Sequence, residues 1–125
     1  MQDFKQLKVW RKAHDLALQV YRITSKFPRE ELFGLTAQVR RSAASVPANI
    51  AEGCGRNGAG DFARFCAIAL GSASETEYHL ILARDLKILG AEDYQALADQ
   101  TSEVKRMLTK LVQRVNQNRK LKTDN

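Results

Sequence analysis

The stretch from Leu35 to Arg56, LTAQVRRSAASVPANIAEGCGR, constrains the fold more than any other part of the chain. Read as a helix, it carries several seams at alternating steps of three and four residues. Leu35, Val39, Ala43, Val46 and Ile50 form an apolar stripe suited to the core of a helical bundle. Arg41, Ala44, Ala48 and Ala51 form another, turned to roughly the opposite side at about 100° per residue. Gln38, Ser42, Ser45, Asn49, Glu52 and Arg56 make a polar seam between them. Small residues at helical spacing admit the close approach of another helix. The pattern therefore predicts a helix covered on two sides, by its own core and, along Arg41, Ala44, Ala48 and Ala51, by a neighbouring subunit. The competing reading is that alanine stands there only for its helix propensity.

Abundant Leu, Ala, Arg, Lys, Glu and Gln, with only two prolines and seven glycines, leave little material for strands and turns and point to an all-α chain. Its 125 residues suffice for a single domain, 1–125, with a real core. A net charge of +6 suits a polyanionic partner: RNA or DNA, or an acidic protein or lipid surface. Cys54 and Cys66 form no zinc pattern and no disulfide framework, as expected of free thiols in a reducing compartment. No apolar run reaches signal-peptide or membrane-spanning length, so the expectation is a soluble cytoplasmic protein with no membrane association.

In chain order, Asp3 with Gln6 has the spacing of a capping box ahead of a first helix whose inner face is Trp10, Ala13, Ala17, Val20 and Thr24. Phe27-Pro28 ends that helix, and Glu30 and Glu31 suit the positive start of the next. Pro47 predicts a kink near Ala43 to Pro47. The glycines between Gly53 and Gly60 fit neither phosphate-binding fingerprint and read as a helix-helix connection. Asp61 to Gly90 then reads as one helix, its best seam being Phe65, Ile68, Ser72, Glu75, His79, Leu82, Leu86 and Leu89.

Glu75 and His79, one helical turn apart, are the only catalytic-looking pair. Bundle metal sites need paired Glu-x-x-His motifs and further carboxylates, and the only other histidine is His14. The expectation is therefore no metal, no cofactor and no enzymatic activity, with Glu52, Glu75 and His79 as buried polar residues that fix the bundle's register.

A final helix from about Glu92 has the seam Tyr94, Leu97, Thr101, Val104, Leu108, Leu111 and Val115. Between Val104 and Thr123 it carries no acidic residue. Lys105, Arg106, Lys110, Arg114, Arg119 and Lys120, with Arg11 and Lys12 on the first helix, are the candidate phosphate contacts. The same stretch also fits a frayed, solvated tail over about 117–125. Four amphipathic helices with short connections imply an antiparallel up-down-up-down four-helix bundle.

The segments LKVWRKAHDLALQVY, GLTAQVRRSAASVPANIAEGCGR and FARFCAIALGSASETEYHL resemble the four-helix-bundle proteins encoded in bacterial 23S rRNA intervening sequences. Val46-Pro47-Ala48-Asn49-Ile50-Ala51-Glu52-Gly53 is the most specific part of the resemblance, which covers the chain to about Gly90. It implies a homo-oligomer, in this family and its relatives typically a ring-like pentamer. The family is similar to the accessory variability proteins of diversity-generating retroelements, basic pentameric barrels that associate with a reverse transcriptase and its RNA. Charge and resemblance together lead to a non-enzymatic oligomer that binds RNA non-specifically through phosphates. The alternative is a scaffold that docks an acidic partner or a reverse transcriptase without touching nucleic acid.

Overall fold

Local chemistry explains each place where the chain stops being helical. The computed structural model describes residues 2–124, with side chains described through Leu121. Its helices are α1 (Lys8–Thr24), α2 (Leu35–Cys54), α3 (Ala59–Asp85) and α4 (Ala91–Asp124). Asp3 caps not α1 but a short 3-10 turn, Phe4–Gln6, by accepting the Lys5 N–H at 3.1 Å. Leu7 is extended and interrupts the ladder, so α1 begins at Lys8 without a side-chain cap and the expected capping box does not form there. After Pro28, Glu31 Oε1 accepts the Leu35 N–H at 3.2 Å and satisfies one orphan donor at the start of α2. Helix α2 continues as a single segment through Pro47 to Cys54.

The end of α3 corrects the expected span. It stops at Asp85, because Lys87 takes a left-handed conformation (φ 62°). The Lys87 N–H donates to Arg84 O and the Ile88 N–H to Ala83 O, each at 2.9 Å. These bonds make a Schellman closure with lysine in the place usually held by glycine. Gly90 instead opens α4, accepting the Tyr94 N–H at 2.8 Å. Helix α4 continues to Asp124, beyond the point where a frayed tail is expected, although its side chains from Asn116 to Leu121 are exposed. Asn125 lies outside the described residues.

Cross-helix contacts fix the topology. Lys26 pairs with Asp93 at 2.6 Å and Lys12 with Glu103 at 3.4 Å, so α1 and α4 run in opposite directions. Arg40 reaches Thr24, and Gln2 N–H meets Cys54 O, so α1 and α2 also oppose. Arg41 with Glu75 and Ser45 with Ser72 set α2 against α3, and Lys105 with Glu77 sets α3 beside α4. The result is an antiparallel up-down-up-down bundle in which each helix packs on its chain neighbours and α1 closes on α4.

The predicted α2 stripe is the core stripe: Leu35, Val39, Ala43, Val46 and Ile50 are all buried. So are Leu97, Thr101, Val104 and Leu108 on α4. The α3 seam is displaced from the prediction, since Ile68 and Leu86 are exposed. Helix α3 turns a face of small residues inward, Cys66, Ala69, Ala73, Thr76 and Ala83, with Leu80. Their small size lets α2 come close, and the larger apolar residues are left on the flanks.

Candidate functional site

The pair singled out for chemistry sits within a polar ladder between α2 and α3. His79 is buried, with Nδ1 3.3 Å from Ser42 Oγ and Nε2 3.8 Å from Glu75 Oε2. Thr76 Oγ1 lies 2.9 Å from both Ser42 Oγ and the Ser72 carbonyl, and Ser45 and Ser72 hydroxyls meet at 2.9 Å. Arg41 Nη2 binds Glu75 Oε2. With Nε2 protonated toward the carboxylate, Nδ1 is free to accept the Ser42 O–H, which is shared with the Val39 carbonyl at 3.2 Å. Burial holds the His79 pKa below its ordinary value, opposed by the nearby Glu75 charge and reinforced by Arg41.

Serine, histidine and glutamate in this order do not make a nucleophilic site. Ser42 is fully buried, and the ring presents Nδ1 to the hydroxyl and Nε2 to the acid, the reverse of the hydrolase arrangement. No group of three His, Cys, Asp or Glu side chains able to hold a metal occurs among the described residues. The expected burial of the acids needs correction. Glu52 is exposed and pairs with Arg56 at 3.6 Å, since it follows the core residue Ile50 by two positions and so points about 200° away. Glu75 is 40% exposed at its side chain, which leaves His79 as the buried member of the three.

The alanines of the second α2 seam face away from the buried core stripe. Ala44, Ala48 and Ala51 line an apolar groove of about 420 Å³ between α1 and α2. Trp10, stacked on His14 at 5.0 Å, lines it with Phe4 and Tyr21. Arg41 departs from this seam, turning toward α3 and Glu75.

The eight candidate phosphate contacts separate into two kinds. Lys12 and Lys105 are committed to Glu103 and Glu77, at 3.4 and 3.1 Å. Arg11 donates to the carbonyls of Lys5 and Gln6, each at 3.3 Å, and Arg119 donates to Asn116 while lying against Gly60. Arg106, Lys110 and Arg114 recur every fourth residue on one exposed face of α4, joined further along by exposed Lys120. No acidic partner is found for these four among the described residues.

A family model for the 23S rRNA-intervening sequence protein matches residues 5–110. The chain belongs to that family. A similar solved structure is a protein of unknown function from the S23 ribosomal protein family of Bacteroides thetaiotaomicron. It is 27% identical, with a TM-score of 0.75 over 83% of this chain and 97% of that one. No curated protein matches this chain. The family match ends near Lys110, so the last turns of α4 and part of its basic row lie beyond it.

This family member also shows features the sequence reading did not single out. Phe33, in the connection between α1 and α2, is 93% exposed. The signal was present, an adjacent Leu32-Phe33 belonging to no helical seam, but apolar residues in short linkers usually cap a core. A second cavity, about 670 Å³, lies at the bundle end among Leu7, Cys54, Phe62, Leu111 and Val115. Burial raises the Cys54 thiol pKa, which keeps it protonated and weakly nucleophilic. Cys66, deeper in the core, is pushed up to about 12 by burial and by Cys54. Among the described residues no helix is long and apolar enough to cross a membrane.

Proposed function

We propose that the chain is a non-enzymatic, homo-oligomeric bundle protein that binds RNA through phosphate contacts without reading sequence. The observation that carries the reading is the exposed row Arg106, Lys110 and Arg114, cations that the fold leaves without acidic partners while it neutralises Lys12 and Lys105. Unpaired cations at regular spacing on a rigid helix suit a polyanion, whose binding releases counterions. The net charge of +6 supports the same class of partner. Sequence-specific reading is not part of the proposal, because aromatic side chains do not interleave with this row to stack unpaired bases. The open alanine groove supports assembly of several copies, which would multiply the basic rows presented to one RNA.

The test is a titration of structured RNA into nuclease-treated protein across a salt series. Affinity is expected to fall steeply with salt, and Lys110→Gln with Arg114→Gln to reduce the slope by about 2. Absence of binding even at low salt would overturn the reading. Copurification of one stoichiometric acidic protein that survives nuclease treatment would favour the scaffold reading in its place. Light scattering on the same sample checks assembly independently, and a monomer would remove that part of the proposal.

A further inference from the structure

We infer that a small oxyanion of the phosphate class binds in the cavity between the end of α1 and the start of α2, held by Arg29, Arg40 and Thr36. The cavity is about 190 Å³ and lies at the end of the bundle where Lys26 meets Asp93, whereas the basic row of α4 runs toward the opposite end. Thr36 gives the first sign of a ligand. It is 3% exposed, and its Oγ1 is the one buried side-chain nitrogen or oxygen without a hydrogen-bond partner among the described residues. The other buried hydroxyls are satisfied: Thr24, Ser42, Thr76 and Thr101 all donate to backbone carbonyls. A buried hydroxyl left alone is unfavourable, and this one belongs to a residue of the cavity wall. Two χ1 rotamers are open to threonine on a helix, so the hydroxyl is free to turn toward a ligand there.

The charges around the cavity say what kind of ligand it takes. Arg29 and Arg40 both line it, and no carboxylate does. Arg40 donates from Nε to Thr24 Oγ1 at 2.8 Å and from Nη2 to the Tyr21 carbonyl at 3.3 Å. These bonds fix the guanidinium plane and leave Nη1 without an acceptor among the described residues. Arg29 is exposed and makes no ion pair among the described residues. A water would satisfy Thr36 but leave both cations uncompensated. An oxyanion accepts from the hydroxyl and from both guanidinium groups. The start of α2 adds to this preference, since Gly34 supplies no side-chain cap and the positive end of the helix dipole lies beside Thr36. Glu30 and Glu31 stand in the same connection without lining the cavity, and Glu31 accepts the Leu35 N–H at 3.2 Å. Their charges and the small volume disfavour a nucleic-acid strand here and favour a free, compact anion.

NMR on the nitrogen-15-labelled full chain tests this, with inorganic phosphate replacing sodium chloride at constant ionic strength so that screening stays fixed. The Thr36 and Ala37 amide signals are expected to shift along a saturable curve, and the thermal unfolding midpoint to rise with phosphate. Arg29→Gln should weaken phosphate binding about tenfold or more, as expected on losing a charge-assisted contact, and leave the midpoint in chloride unchanged. Thr36→Val keeps the shape of the side chain and removes the hydroxyl. It should also weaken phosphate binding, while stability in chloride holds or rises because an unpartnered buried hydroxyl has gone. No saturable shift near Thr36 overturns the inference. So does an affinity that both variants leave unchanged. Shifts confined to Arg106, Lys110 and Arg114 would place the phosphate on the α4 row and overturn it as well. The RNA titration reads that row and not this cavity, so the two proposals fail independently.

Discussion

Helix α2 has two sides built from small residues, and they meet different fates. On the side facing α3, Ser42 and Ser45 lie against Thr76 and Ser72, and the space is filled by a helix of the same chain. On the side beside α1, Ala44, Ala48 and Ala51 leave a groove that none of the described residues fills. Small residues provide room in both places, and the polar groups decide what enters. The α3 side carries hydroxyls that find matched donors and acceptors at close range, which fixes one register. The groove side offers only apolar surface and aromatic edges, so an apolar partner of suitable shape can use it without leaving a buried hydroxyl unsatisfied.

The sharpest break in this comparison uses adjacent residues. Ile50 is fully buried in the core stripe, whereas Ala51 lines the groove. Ile50→Ala should cost about 2 to 5 kcal/mol by removing core atoms and leaving a cavity. Ala51→Leu should change stability by no more than about 0.5 kcal/mol, as expected of a surface substitution, while weakening assembly. Urea unfolding, at a concentration low enough that association does not contribute, measures both. Equal costs would mean that the groove belongs to the monomer's core after all.

A second pair compares the two small-residue sides directly. Ala73 is fully buried on the inner face of α3, so Ala73→Leu should overpack the core there and destabilise by about 1 to 3 kcal/mol. Ala48→Leu, in the open groove, should leave the unfolding midpoint of the monomer nearly unchanged. Acid provides a further separation. His79 has its folded pKa below the ordinary 6.5, first through burial, so the unfolded chain binds the proton more readily. Its contribution to stability is complete above about pH 6.5 and is lost as pH falls through the folded value. The unfolding midpoint of the wild type should therefore drop on acidification more than that of His79→Gln, whereas groove variants should follow the wild-type pH profile.

Periodicity made much of this legible. The α2 core stripe and the heptad seam of α4 are visible because large apolar residues recur at helical spacing against polar neighbours. Helix α3 resisted the same reading, because its inner face is Cys66, Ala69, Ala73 and Thr76, while conspicuous Ile68 and Leu86 are exposed. Hydrophobic size tracks burial only where the neighbour stands far enough away to need filling. Gly53 shows the same effect. It reads as the start of a flexible connection, yet it lies buried inside α2, where an added Cβ would stand 3.0 Å from Phe65 Cβ. The surfaces were legible only in part. Charge spacing identified the row on α4, but nothing in the sequence distinguished Lys12 and Lys105, which bind acids across helices, from Lys110 and Arg114, which do not.

The smallest effect comes from the rim of the polar ladder and shows how its members act on one another. Arg41 and Glu75 form their ion pair with side chains 62% and 40% exposed, so solvent screening limits its worth. Arg41→Ala should cost no more than about 1 kcal/mol. The informative reading is the His79 titration followed by NMR, with His14 as the only other imidazole signal to separate. Glu75 raises the His79 pKa and Arg41 lowers it, both against the larger lowering by burial. Glu75→Gln should therefore move the titration of His79 down, and Arg41→Ala should move it up, provided that each variant leaves the carboxylate and the ring where they are. Shifts in the same direction would mean that both substitutions act by opening the α2–α3 seam to water. In that case the ladder would hold the helices together mainly by excluding solvent, and the match between its charges would be secondary.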